Sequence, residues 1–219
     1  MLPKRDDFLA ALPNETLAIC GLYLGSDAIH VGIFWYFENE RKVVHFQNGN
    51  YIPVENVSED QFENYFFNAI SEFPTSLLPS LSALSELISQ NLLNGFTFNR
   101  IGVVYNGGKF EYQSGIYNTQ STAEKYVNCA VFVIALLNTY NHQLIEWASW
   151  PNTNPANRAF LDNWLVINNI PDENKDTYYN QSKEVRGKHV LVSPSTNTKP
   201  SPFPEAQALA EELIIALNP

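Results

Sequence analysis

The first quarter of the chain places apolar, β-branched and aromatic residues between short polar turns, a pattern typical of antiparallel strands. Strands are predicted over residues 17–24 and 28–37, and the Gly25-Ser26-Asp27 turn between them indicates a β-hairpin. A third strand is predicted over 42–47, after a turn at 38–41. With the helices predicted further along, these strands indicate an α+β fold in which an antiparallel sheet packs against helices.

Two helices are predicted to interrupt the strands. The first, over 58–73, has Ser58 and Gln61 at the spacing of a capping box. The second, over 77–93, has leucine and isoleucine at helical spacing. Together they are expected to form a helical insertion at about 58–94, which serves as a lid or a groove wall, or simply as packing.

The rest of the chain carries weaker patterns. A second hairpin is predicted between 96–105 and 109–112, followed by a polar loop over 115–125. The whole chain, 1–219, is expected to form a single domain, with 142–219 as a C-terminal elaboration. The predicted elements of this elaboration are short helices over 144–150 and 157–168, a polar segment over 172–187 that is extended or mobile, a strand over 189–192 and a helix over 205–217.

Composition indicates a folded, acidic protein. The chain is 45% hydrophobic and contains 14 Phe, 11 Tyr and 4 Trp, which is enough for a core and argues against disorder over most of its length. Its 13 Lys and Arg against 23 Asp and Glu give a net charge of -10, without a basic cluster. Binding to nucleic acid or to an anionic membrane through a basic surface is therefore not expected.

Residues 1–8 lack the apolar region of a signal peptide, and no segment has the 18 or more apolar residues of a membrane span. The protein is therefore expected to be made in the cytoplasm without integral membrane association, and to reach any other compartment by a non-Sec route. The histidines and cysteines lack zinc-site spacing, and nucleotide-binding motifs are missing. Neither a metal nor another cofactor is expected.

Cys129 follows Asn128 and opens an apolar run that predicts a helix over 129–138. A thiol at a helix N-terminus lies where the helix dipole and free backbone N–H groups stabilise the thiolate. Upstream, His30 and His45 lie on neighbouring predicted strands. One histidine could accept the thiol proton while a second polar group holds its imidazole in one tautomer, which is the arrangement of a thiol active site.

The order of these residues, with both histidines before the cysteine, is informative. The matching segments are His30-Val31-Gly32-Ile33, Val43-Val44-His45-Phe46 and Asn128-Cys129-Ala130-Val131-Phe132-Val133. They resemble the circularly permuted branch of the NlpC/P60 papain-like superfamily, which includes the lecithin:retinol acyltransferase-like proteins. The resemblance covers roughly residues 17–140. In two respects the chain departs from this pattern: fifteen residues separate the histidines, and Ala130-Val131 is apolar where a polar pair is common.

The resemblance implies a permuted papain-like fold with the nucleophilic cysteine at the N-terminus of a core helix. Cys129 would attack an acyl carbon, His30 would act as general base and then as acid, and His45 would orient His30. The backbone N–H of Cys129 would hold the oxyanion. Supporting roles are expected for Asn128 and Tyr23 at the oxyanion, and for Gln47 as the orienting residue if His45 faces away.

The expected function is that of a cysteine hydrolase that cleaves an amide, such as a peptide of bacterial cell-wall type, through an acyl-thioester. Lipid-acting relatives tend to carry a membrane anchor or a basic surface, and this sequence shows neither. A small acidic amidase without a signal peptide suits a toxin or effector, whose partners would be a peptide or acyl substrate and an inhibitor (immunity) protein. The alternatives are a lipid acyltransferase or phospholipase of the same fold, and a non-catalytic papain-like binding module.

The other thiol and histidines have simpler interpretations. Cys20 lies in an apolar strand without a basic neighbour in sequence, so a buried structural thiol is expected. His142 follows the Cys129 helix and would complement its dipole. His189 is the alternative base, because a papain-like enzyme with the standard residue order places its histidine after the cysteine.

Overall fold

The three strands predicted at the start of the chain are present and form the centre of a five-stranded antiparallel sheet. The computed structural model describes residues 2–47, 52–91, 97–98, 105–119, 126–152, 162–163, 165–166, 170–183 and 185–218. The strands of the sheet are β1 (Thr16–Tyr23), β2 (Ile29–Phe37), β3 (Glu40–His45), β4 (Val54–Asn56) and β5 (Tyr65–Ala69). Their spatial order is β4-β3-β2-β1-β5.

Six helices are seen in the described part of the chain. They are α1 (Arg5–Ala10), α2 (Leu78–Gln90), α3 (Cys129–Thr139), α4 (Asp172–Gln181), α5 (Gly187–Val192) and α6 (Phe203–Leu217). Two short strand pairs complete the fold: β6 (Thr97–Phe98) runs parallel to β9 (Tyr126–Val127), and β7 (Lys109–Phe110) runs antiparallel to β8 (Tyr117–Asn118). The predicted α+β class, with an antiparallel sheet packed against helices, is confirmed.

Strand alternation divides the buried side chains of the sheet between two faces. The helix face carries Ile19, Val31 and Val44, which pack with the buried residues of α2, α3, α5 and α6. The aromatic face carries Cys20 and Phe34, which pack with Phe8, Phe62 and Phe67. The two faces therefore bury separate clusters, and a residue's position along a strand decides which cluster it joins.

Helix α3 is buried on all sides, which explains its apolar sequence. Every residue from Ala130 to Leu137 has at most 4% of its surface exposed. Asn128 caps its N-terminus, because its Oδ1 accepts a hydrogen bond from the Val131 N–H at 2.9 Å. The helix predicted over 129–138 is confirmed, and Cys129 is its first residue.

The helix predicted over 58–73 is wrong. This segment contains a short 3₁₀ turn (Asp60–Phe62) and strand β5, which pairs with β1 in the central sheet. Phe66 packs on the helix face, whereas Tyr65 and Phe67 pack on the aromatic face. A strand buried on both faces has a continuous apolar run, which periodicity does not separate from a buried helix. The predicted helical insertion at 58–94 therefore retains only α2 as a helix.

Two C-terminal predictions are also wrong. Residues 172–181, predicted as extended or mobile, form α4. Acidic residues in its first turn interact favourably with the helix dipole, and Asp172 pairs with Lys175 at 2.6 Å. Residues 189–192, predicted as a strand, belong to α5. All six residues of α5 are buried, so its sequence shows no polar face that would reveal a helix. The C-terminal helix predicted over 205–217 is confirmed as α6.

The remaining predicted elements are only partly described. Most of the first strand of the hairpin predicted between 96–105 and 109–112 lies outside the described residues. Of the described parts, β6 pairs with β9, and β7 pairs with β8, which lies within the predicted polar loop. Within 144–150 only a 3₁₀ turn (Trp147–Ser149) is present. Most of the helix predicted over 157–168 also lies outside the described residues.

Candidate active site

Two histidines and a glutamate lie side by side across three strands of the sheet. His45 on β3 is paired with Gly32 on β2, and Glu55 on β4 is paired with Val43 on β3. His30, two residues before Gly32, and His45, two residues after Val43, therefore project from the aromatic face as diagonal neighbours. His30 Nε2 lies 2.9 Å from His45 Nδ1, and His45 Nε2 lies 2.6 Å from Glu55 Oε2. We call these three residues the histidine row.

Gly32 provides the space for this row. A Cβ atom on residue 32 would lie 2.7 Å from the Cβ of His45 and 2.7 Å from the carbonyl oxygen of Val44. A side chain at this position would therefore push His45 away from His30. Glycine at position 32 of β2 is therefore required for the contact between the imidazoles.

The carboxylate of Glu55 fixes the tautomers of the row. As an acceptor, it takes a hydrogen bond from His45 Nε2–H. The lone pair of a neutral His45 then lies at Nδ1 and accepts from His30 Nε2–H. This leaves Nδ1 of His30 without a proton, and this atom is the one that could act as a base.

His30 is neutral at physiological pH. Burial, together with the positive charge of a protonated His45, lowers its pKa from 6.5 to about 4. At pH 7 the free ring nitrogen of His30 is therefore available to accept a proton.

Cys129 contacts β2 at the backbone of Val31, the residue after His30, and packs against the cluster on the helix face of the sheet. The pairing of β2 with β3 ends at Gly32 and His45, and the backbone N–H of the next residue along β2, Val31, donates to the Cys129 thiol. Helix α3 thus brings the thiol to the strand that carries His30. Among the hydrogen bonds of the described residues, none joins Cys129 Sγ to either imidazole.

Burial raises the pKa of the Cys129 thiol, although hydrogen bonds from the backbone N–H groups of Val31, Ala130 and Cys129 act in the opposite direction. A protonated thiol and a neutral His30 therefore form the resting state. The residue as a whole is nevertheless partly exposed, whereas Cys20 is fully buried. Removal of the proton by a base, rather than a preformed thiolate, is the way this site could generate a nucleophile.

Tyr65 on β5 borders the site from the other side. It shares its β1 partner, Leu22, with His30, so that both side chains lie on the aromatic face. Burial raises the pKa of its hydroxyl, and the negative charges of Cys20, Glu55 and Cys129 act in the same direction. Tyr65 is thus a neutral hydroxyl within electrostatic range of both the thiol and the glutamate.

The three predicted supporting residues have different surroundings. Asn128 is occupied at both ends of its amide, since Oδ1 accepts from Val131 N–H and Nδ2 donates to the Val185 carbonyl at 2.8 Å. Tyr23 donates to Asn218 Oδ1 at 2.6 Å. Gln47 Nε2 lies 3.3 Å from His45 Nε2, the atom that also faces Glu55.

The geometry thus gives each of these residues a local role. Asn128 is a helix cap, and Tyr23 ties β1 to the C-terminal helix. Because His45 faces His30, Gln47 is not needed to replace it and instead contacts the row from one side. A neutral backbone N–H, that of Cys129, stays the candidate oxyanion donor.

The second thiol and His189 are buried, whereas His142 is half-buried. Cys20 has no exposed surface, and burial raises the pKa of its thiol, so its predicted burial is confirmed. His189 lies between the rings of Trp150 and Phe203, and its Nε2 lies 2.7 Å from Gln207 Oε1. His142 follows α3, where its backbone N–H donates to Leu137, the predicted position at the helix C-terminus.

An apolar cavity of about 380 Å³ lies away from the histidine row, at the opposite end of β1. Its walls include Phe8, Leu12, Leu17 and Ile70, with Leu78 as the contribution of α2.

Within the described ranges, no group of three or more His, Cys, Asp or Glu side chains is placed to hold a metal ion. None of the helices described is long and apolar enough to cross a bilayer.

Two site residues were not predicted from the sequence. Glu55 belongs to a three-residue strand whose sequence, Val-Glu-Asn, carries a weak signal, and Tyr65 falls in the segment predicted as a helix. The apolar and aromatic run at 65–67 would have indicated a strand if judged by β-propensity rather than by helical periodicity.

Comparison of the chain with protein-family models, with curated proteins and with solved structures gave no match.

Proposed function

We propose that this protein is a cysteine hydrolase that cleaves an amide bond through a covalent thioester on Cys129. The observation that carries the proposal is the 2.9 Å contact between His30 Nε2 and His45 Nδ1. Val31, the residue after His30 on β2, donates its backbone N–H to the Cys129 thiol. The resemblance to the permuted NlpC/P60 papain-like enzymes, with its order of two histidines before an Asn-Cys helix start, supports the same assignment and a permuted papain-like fold.

In the first step, His30 Nδ1 accepts the proton of the Cys129 thiol as the sulfur bonds to the carbonyl carbon of the substrate. The oxyanion accepts a hydrogen bond from the backbone N–H of Cys129. The amine then leaves with the proton held by the histidine, and a thioester remains. Water, deprotonated by the same base, attacks the thioester, and the thiol recovers its proton.

The absence of a hydrogen bond between thiol and imidazole in the described structure is compatible with this scheme. Catalytic hydrogen bonds of substrate-free enzymes are often long, and they tighten only when the substrate is bound. Because the pKa of the thiol is raised and that of the histidine is lowered, the proton is transferred during the reaction and not before it. Such a pair is neutral at rest and becomes an ion pair only as the sulfur attacks.

A non-catalytic binding module is the second candidate, and the burial that raises the pKa of Cys129 favours it. Under this reading the thiol would be a core residue that happens to lie at a helix start. The two candidates differ in one property. A catalytic thiol exchanges its proton with His30, whereas a core thiol titrates alone.

The pH dependence of Cys129 alkylation by iodoacetamide separates them. All variants carry Cys20→Ala, and labelling is followed by mass spectrometry between about pH 5 and pH 9. A thiol that titrates alone loses about tenfold in rate per pH unit below its pKa. A thiol coupled to His30 is expected to level off to a rate that no longer depends on pH. We call this the neutral plateau.

The proposal expects a neutral plateau in the parent that disappears in His30→Ala and in His30→Gln, the second of which keeps a polar side chain in case the alanine variant unfolds. His142→Gln serves as the matched control, since this histidine lies at the far end of α3. A parent protein that shows the tenfold slope throughout, indifferent to His30, would assign Cys129 to the core and favour the binding module.

A further inference from the structure

His45 has a titratable group at hydrogen-bond distance from each of its ring nitrogens. His30 Nε2 lies 2.9 Å from Nδ1, and Glu55 Oε2 lies 2.6 Å from Nε2. A residue that only orients a catalytic imidazole needs one such contact, as an acceptor. The second contact, to a carboxylate, gives His45 the surroundings of an imidazolium.

We propose that Glu55, His45 and His30 form a proton relay, in which the positive charge created when Cys129 loses its proton resides on His45 and not on His30. This inference rests on the proposed function and adds Glu55 to it as a positioning residue. It also changes the role of His45, from a residue that orients the base to a part of the base itself.

The relay moves two protons and conserves both. The Cys129 proton binds to His30 Nδ1, and the proton on His30 Nε2 passes over the 2.9 Å contact to His45 Nδ1. His30 is neutral again, in the other tautomer. His45 now has protons on both nitrogens, and its Nε2–H continues to donate to Glu55. When the amine leaves, the same transfers run in reverse.

The surroundings favour the charge on His45 over His30. The side chain of His45 is only 4% exposed, but that of Glu55, on β4, is 22% exposed and supplies the compensating negative charge. The neighbour from the 3₁₀ turn is the uncharged ring of Phe62. Among the described residues, no carboxylate is hydrogen-bonded to His30 on β2. Its neighbour from β5 on the same face of the sheet is the neutral Tyr65. From α3, the Cys129 thiolate attracts a positive charge at either histidine.

The relay also accounts for how a histidine of low pKa could deprotonate a thiol of high pKa. Burial lowers the pKa of His30 to about 4, which makes His30 alone a weak base. If the proton passes on to His45, the basicity that matters belongs to the pair and to the carboxylate beside it. Glu55 then contributes to the reaction without contacting the substrate.

The test compares His45→Asn with Glu55→Gln in the labelling experiment on Cys129. An asparagine can still accept a hydrogen bond from His30 Nε2–H, but it cannot take up a proton. The relay predicts that His45→Asn loses the neutral plateau as completely as His30→Ala does. Glu55→Gln is expected to lower the plateau by roughly 10- to 100-fold, because a charge-assisted hydrogen bond is replaced by a neutral one.

Glu40→Gln is the matched control, since it makes the same acid-to-amide change at an exposed carboxylate that pairs with Lys42 on the same sheet. It is expected to leave the plateau unchanged. A His45→Asn variant that keeps the plateau while His30→Ala loses it would overturn the relay and leave the proposed function standing. Loss of the plateau already in the parent would instead remove the proposed function.

Nitrogen NMR of the imidazole rings tests the relay without using the thiol. On acidification of the parent, both ring nitrogens of His45 are expected to become protonated before His30 changes. Glu55→Gln should bring the two protonation steps closer together. Protonation of His30 ahead of His45 would overturn the relay, whatever the labelling experiment shows.

Discussion

His30 and His189 have similarly lowered pKa values, yet the residues around them differ. Burial lowers the pKa of both His30 and His189 to about 4. His189 lies between Trp150 and Phe203 and contacts the neutral amide of Gln207. His30 contacts a second histidine, which contacts a carboxylate.

The comparison shows that burial and a shifted pKa do not identify a base. A proton that reaches His189 would have to stay on a ring enclosed by aromatic side chains. A proton that reaches His30 has a path to His45 and Glu55. What separates a structural histidine from a candidate catalytic one is the chemistry of its neighbours, and the predictions below test this separation.

The largest expected effect is on stability in acid. Both histidines are neutral in the folded protein, with a pKa of about 4 against the ordinary 6.5. Their contribution to stability is complete above pH 6.5 and is lost as the pH falls towards 4, because the unfolded chain binds the protons first. The loss is about 3 kcal/mol for each histidine.

Urea unfolding at neutral pH and near pH 4.5 measures this loss. His30→Gln and His189→Gln are each expected to reduce the acid-induced loss by a similar amount, while only His30→Gln removes the neutral plateau of Cys129 labelling. If His189→Gln also removed the plateau, the two histidines would not differ in their coupling to Cys129, and His189 would again be a candidate base.

Gly32→Ala is expected to damage the histidine row selectively. The added Cβ would lie 2.7 Å from the Cβ of His45, and such overpacking typically costs about 1–3 kcal/mol. The neutral plateau should be lost together with the contact between the imidazoles. Gly25→Ala is the control, since its φ of +95° is strained for alanine but its Cβ would meet no atom within 4 Å. It should cost about 1 kcal/mol and keep the plateau.

Asn128→Ala is expected to lower stability by about 1–2 kcal/mol, because it removes the N-cap of α3 and the donor to Val185. The pH profile of labelling should keep its shape, since both ends of the amide are occupied away from the thiol. Thermal unfolding and labelling of the same sample measure the two effects. A lost plateau at unchanged stability would give Asn128 a direct part in the chemistry.

Tyr23→Phe is expected to have the smallest effect. It removes the 2.6 Å hydrogen bond to Asn218 near the surface, which is worth about 1 kcal/mol or less. Labelling of Cys129 should be unchanged, because the hydroxyl is engaged with the C-terminal helix. A clear fall in labelling at equal stability would restore Tyr23 as a donor at the site.

The parts of the site that were predictable lie on elements with local signals. His30 and His45 sit on strands flanked by turn sequences, and Cys129 follows an asparagine that caps a helix. Each of these signals is contained in a few consecutive residues. The contact between the histidines could be anticipated from two adjacent antiparallel strands, although the register could not.

Glu55 and Tyr65 could not be predicted, because their positions depend on pairing between distant segments. Glu55 reaches His45 only because β4 pairs with β3, and Tyr65 borders the site only because β5 pairs with β1. The sequence from 58 to 73 is compatible with a helix, and the sheet overrides that local preference. The same competition explains the error at α5, all of whose residues are buried. Helix α4, in contrast, has local support from its acidic first turn and the Asp172–Lys175 pair.

The sequence by itself determined the α+β class, the three central strands, the thiol at the start of an apolar helix and the pairing of that thiol with upstream histidines as a hypothesis. Tertiary structure alone decided that His45 contacts His30, that Glu55 contacts the other ring nitrogen of His45, and that burial raises the pKa of the Cys129 thiol. The physical reason is that hydrogen-bond partners and burial are properties of segments brought together by folding. Turns, caps and strand alternation, in contrast, are fixed by neighbours along the chain.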